Sequence, residues 1–135
     1  MNTPQHEPVA ARNYLIVSAD HPLGAAAAIQ HAPTPPDLCV KSPSPAAKLT
    51  ADLAFDGRYV RTIDEPLLAG RRPGESAGDF ELRCADALRA LYALETQLAF
   101  VIFDSLPSAR DNGLLLDESS LLELAERIER TVPPP

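Results

Sequence analysis

The chain has 135 residues, 45% of them apolar and 23% charged, which is near the globular average and excludes collagen-like, low-complexity and wholly disordered chains. That length is one domain's worth and can bury a core without disulfide or metal staples. The net charge of −7, from 12 Lys and Arg against 19 Asp and Glu, does not suit neutralising a phosphate backbone, so nucleic acid is disfavoured as a partner.

Residues 1–12, with Pro4 and Pro8, read as a flexible tail, residues 13–132 as one α/β domain, and residues 133–135 as a proline-rich end. Tyr14-Leu15-Ile16-Val17 predicts the first strand. Residues 22–31 open with Pro22 at a helix-starting position and continue through Ala25–Ala28 and Ile29, which predicts a helix. Pro33, Pro35 and Pro36 then make a stiff, non-helical loop before a second strand, Leu38-Cys39-Val40. Residues 46–55 predict a helix with Ala46, Leu49, Thr50 and Leu53 on one face, and residues 59–63 a third strand. Residues 76–97 predict the longest helix, its stripe running Phe80, Cys84, Leu88, Leu91 and Glu95. The fourth strand, residues 98–103, is apolar throughout and therefore expected to be buried on both faces. Residues 120–131 predict the last helix, with a Ser120-x-x-Glu123 capping box and a Leu121, Leu124, Ala125, Ile128 face.

The alternation of strands and helices predicts a three-layer α/β sandwich. Its central sheet is mainly parallel, has about four to five strands, and is flanked by helices. Ligands of such sheets bind beyond the carboxyl ends of the strands. Those ends are Ser18-Ala19-Asp20-His21, Lys41-Ser42-Pro43, Asp64-Glu65 and Asp104-Ser105. Cys39 and Cys84 sit in apolar patterns and are expected as buried reduced thiols. Residues 1–8 lack the basic and apolar regions of a signal peptide, and the longest apolar run is too short to span a bilayer, so a cytoplasmic protein without membrane contact is expected. No cysteine–histidine cluster has metal spacing and no phosphate-binding glycine motif is present, so neither metal nor cofactor is expected.

Three stretches carry a family likeness. They are Lys41-Ser42-Pro43-Ser44-Pro45-Ala46-Ala47-Lys48-Leu49-Thr50-Ala51, then Asp64-Glu65-Pro66-Leu67-Leu68, then Arg72-Pro73-Gly74-Glu75-Ser76 with Phe80 and Arg83. As a set over residues 13–106 the chain resembles the histidine phosphatase superfamily, with its phosphoglycerate mutase-like fold. The resemblance implies the fourth strand lying between the first and second. It also implies phosphohistidine chemistry, which needs an imidazole nucleophile, a second histidine and arginines around the phosphoryl oxygens, and an acid for the leaving group.

The positions matched to those groups do not hold them. Ser18, Ala19 and Asp20 stand where members have Arg-His-Gly, Pro45 stands for the pocket arginine, Gly70 for the acid and Ser105 for the second histidine. The expected pocket is therefore degenerate and the expected protein a catalytically inactive binding or regulatory subunit. Its partner would be another protein or a second copy, through the last helix, the 105–116 loop or an edge strand at residues 113–116. His21, two residues beyond the nucleophile position, is the fallback for an active hydrolase working with Arg71 and Arg72; a third reading is an unrelated small adaptor. Arg71 and Arg72 are read as a solvated patch or as partners of Asp64 and Glu65, with an anion clamp as the alternative. Ser42 and Ser44 are read as helix caps, with anion binding as the alternative. Glu75 is read as a helix-start acid, Arg83 as an ion-pair partner, and Asp20 and Asp104 as carboxylates facing one another.

Overall fold

A computed structural model of the chain describes residues 12–32, 34–94, 96–106 and 113–132. The tail to residue 11 with His6, Pro33, Glu95, residues 107–112 of the expected partner-binding loop and residues 133–135 lie outside the described residues. The elements run β1 (Asn13–Ser18), α1 (Pro22–Gln30), β2 (Leu38–Lys41), α2 (Pro45–Phe55), β3 (Thr62–Asp64), a 3-10 turn (Pro66–Leu68), α3 (Ala77–Tyr92), β4 (Leu98–Phe103), β5 (Leu114–Asp117) and α4 (Glu118–Thr131). The sheet order is β3-β2-β4-β1-β5. β1 to β4 are mutually parallel, whereas β5 runs antiparallel to β1, so the sheet is mixed. β4 lies between β1 and β2, as expected.

β4 is central because it can be buried from both sides. Ala99, Val101 and Phe103 face one core with Phe80, Cys84 and Leu88 of α3 and Leu121 and Leu124 of α4. Phe100 and Ile102, the alternate residues, face a second core with Ala25 and Ile29 of α1 and Ala47, Ala54 and Phe55 of α2. Phe55 stacks on Phe100 with ring centroids 6.4 Å apart. Helices thus cover both faces of the sheet. Among the described residues no helix is long and apolar enough to cross a membrane.

Several boundaries and faces differ from expectation. The third strand is Thr62–Asp64 and not residues 59–63; Tyr59 is almost wholly exposed. α3 ends at Tyr92, closed by the Ala93 N–H on the Ala90 carbonyl and the Leu94 N–H on the Leu91 carbonyl, five residues short of the prediction. α2 buries Ala47, Thr50, Ala51, Ala54 and Phe55, so its inner face is rotated from the predicted one and Leu49 is half exposed. The α4 cap is Asp117, whose carboxylate accepts from the Ser120 N–H at 2.8 Å, and not Ser120. Residues 114–117 form an edge strand within this chain, paired with β1 in register Asn13↔Asp117 to Ile16↔Leu114. The predicted faces of α3 (Phe80, Cys84, Leu88, Leu91) and α4 are buried as expected.

Candidate functional site

The carboxyl ends of the four parallel strands meet the loops leading into α1, α2 and the 3-10 turn. Backbone bonds lace this end together. Ala19 N–H reaches Phe103 O at 2.7 Å, Ser42 N–H reaches Ile102 O at 2.9 Å, Glu65 N–H reaches Lys41 O at 2.8 Å and Asp104 N–H reaches Leu68 O at 3.1 Å. The residues matched to a reaction centre therefore do converge on one region, where Ser18 and Asp20 bond to one another.

Asp104 is the hub. One carboxylate oxygen accepts from the Ser44 hydroxyl and the other from the Gly70 N–H at 2.9 Å, so the end of β4 is tied to the start of α2 and to the loop before α3. The carboxylate is engaged toward Ser44 and Gly70. Asp20 is exposed and accepts from the buried Ser18 hydroxyl at 2.9 Å. A hydroxyl has one proton, so the longer contact of Ser18 with the Asp104 carbonyl, 3.3 Å, is the weaker alternative.

Ser44 caps α2: its oxygen accepts from Ala47 N–H at 3.1 Å while its proton goes to Asp104. Ser42, fully buried, accepts from Ser44 N–H at 3.2 Å. Ser44 is thus the cap of α2, whereas Ser42 holds the turn before it, and Pro45 occupies the first turn of α2. Lys41 pairs with Asp64 at 2.6 Å.

Arg83 is the most heavily bonded side chain here. Nε donates to Glu75 Oε2 at 2.9 Å, Nη1 to the Leu67 and Ala69 carbonyls at 3.0 and 2.8 Å, and Nη2 to Gly70 O and Glu75 Oε1 at 2.9 and 2.7 Å. All five guanidinium protons are used. Arg83 is an ion-pair partner as expected, but Glu75 is its counter-ion and not simply an acid beside a helix start. The Arg83 hydrogen bonds, with the Arg72 N–H, hold the Glu75 carboxyl down at about 2.

Arg71 and Arg72 do not pair with Asp64 or Glu65. Arg71 Nε donates to Glu75 O at 2.7 Å and Arg72 Nη2 to Pro66 O at 3.1 Å. Both are exposed, beside an open hollow of about 510 Å³ that Glu75 and Ser76 also line. His21 is exposed at the N-cap position of α1 with no side-chain capping bond, and Ser105 is half-buried just past β4. Among the described residues no group of three or more His, Cys, Asp or Glu side chains could hold a metal ion.

Strand patterning set Ser18 and Asp104 at this end of the sheet, and the resemblance set Gly70 in the same region, but neither showed that Asp104 joins the other loops. Its two partners lie 60 and 34 residues away, a separation that leaves no local signal. No family model, no curated protein and no solved structure matches this chain.

Proposed function

We propose that this chain is a catalytically inactive, histidine-phosphatase-like protein, with the three-layer phosphoglycerate mutase-like fold, that acts as a binding or regulatory subunit. The observation that carries the reading is the Asp104 hub. Where the resembled chemistry needs an imidazole and free cations around a phosphoryl group, an acidic side chain is held by Ser44 and Gly70. A carboxylate there repels phosphate and is too weak a base to make the Ser44 hydroxyl a nucleophile. Ser18, Ala19, Asp20, Pro45, Gly70 and Ser105 offer neither imidazole nor guanidinium. The position of β4 between β1 and β2 supports the resemblance over an unrelated small adaptor.

A scaffold kept without its chemistry serves as a surface, and the partner is a protein or a second copy of the chain. Buried unpaired Cys39 and Cys84 agree with a reducing compartment such as the cytoplasm.

The test is hydrolysis of para-nitrophenyl phosphate by the purified chain and by His21→Ala. Both are expected at the uncatalysed rate. Turnover well above it that disappears in His21→Ala would establish the competing reading, a hydrolase using His21 with Arg71 and Arg72.

A further inference from the structure

A cavity of about 780 Å³ opens between α1 and β5, at the opposite end of β1 and β4 from the Asp104 hub. Its floor is Leu15, Leu98 and Phe100 of the sheet, and Ala27 and Ala28 of α1 and Leu115 of β5 form its walls. The gap has a local cause. Leu114 and Leu116 pack into the core under α3 and α4, which leaves Leu115 on the α1 side, 63% exposed. The alanines of α1 are too short to cover it.

We propose that this cavity binds an uncharged, mainly apolar small molecule that carries one hydrogen-bond donor. The volume falls in the range of small-molecule sites, roughly 300–1,000 Å³. Charge selects the class: 23% of the chain is Asp, Glu, Lys or Arg, yet no described residue lining the cavity is one of them. A charged ligand would lose water there and find no counter-charge. The donor would be met by His31, an exposed residue that lines the cavity together with the polar Asn13, Thr34 and Gln97. The His31 Nδ1 lies 2.7 Å from the Ala27 carbonyl and so carries the proton, which leaves Nε2 as the acceptor of the neutral ring. This site does not depend on the reading of the Asp104 region.

N-phenylnaphthylamine, an uncharged aromatic with a single N–H, is a suitable probe for a fluorescence titration of the full chain. The expected result is saturable one-to-one binding to a monomer. Ala28→Phe, which fills the cavity, and Leu115→Glu, which charges its wall at an exposed position, should each weaken binding by about tenfold or more. His31→Phe, which keeps the volume and removes the acceptor, should weaken it by about fivefold. Circular dichroism and thermal melts check that each variant is folded, and Leu115→Glu keeps the test decisive if Ala28→Phe is not. Two results overturn the proposal. One is non-saturable binding, or binding that Leu115→Glu leaves unchanged. The other is a dimer in sedimentation that excludes the probe and that Leu115→Glu dissociates, which would give the groove to a second copy.

Discussion

Arg83 is 8% exposed, and its guanidinium has no proton left for water. Replacing it by Met leaves three carbonyls of the 67–70 loop without donors and Glu75 without its counter-ion. Breaking such a buried network costs on the order of 3 kcal/mol. Arg83→Lys is expected to recover only part of that, because an ammonium cannot reproduce the planar fork. Urea denaturation of the two variants measures both losses. The same pair sets an acid dependence. Glu75 is depressed from 4.5 to about 2, so the stability it contributes is fully present above pH 4.5 and is lost as pH falls toward 2. Glu129, lowered by Arg89, and Asp117, lowered by the Ser120 N–H, add to the same acid slope. In Arg83→Met the slope of stability against pH in that window should be shallower than in the parent; an unchanged slope would mean that Glu75 is not held by Arg83.

At the scale of the element, β5 and α4 decide where the chain turns back. Gly113 precedes β5 with φ +84, and a Cβ there would sit 3.1 Å from Leu15 Cδ1. Gly113→Ala combines left-handed strain with a tight contact and is expected to cost about 1–2 kcal/mol. Hydrogen exchange should show the β5 amides opening faster in that variant, because the strand loses its entry angle. One residue past Leu116, Asp117 ends β5 and caps α4. Thermal melts of Asp117→Ala and Ser120→Ala separate the two possible caps. The first should lower Tm and the second leave it near the parent's, since Ser120 supplies only its backbone N–H. The sequence pointed to Ser120, whereas the operating cap lies three residues earlier. Which one operates is decided by where pairing with β1 stops, at Asn13↔Asp117.

At the scale of the molecule, the sheet divides the interior into two apolar compartments with one thiol in each. Cys84 belongs to the core beneath α3 and α4, and Cys39 to the core beneath α1 and α2. Burial pushes Cys39 up to about 12 and Cys84 to about 11, so neither offers a thiolate near neutrality. Folded protein is therefore expected to leave an aromatic disulfide reagent unconsumed at mildly alkaline pH, with both thiols reacting in concentrated urea. Rapid reaction of one thiol in the folded chain would show that its compartment opens locally.

The sequence by itself determined which segments become strands and helices, that β4 is central, and which faces of α3 and α4 turn inward. Those features follow from hydrophobic periodicity, which is written in neighbouring residues. It also determined that Ser18 and Asp104 gather at one end of the sheet, since parallel strands align their carboxyl ends. Only the tertiary structure decided that β5 returns antiparallel beside β1, that α2 buries Ala54 and Phe55 in place of Leu49, that Arg83 binds three loop carbonyls, and that Asp104 joins Ser44 to Gly70. The reason is the same in each case. A backbone carbonyl or a distant hydroxyl carries no residue-specific signal, and a hydrogen bond between segments tens of residues apart exists only once packing has brought them within about 3 Å.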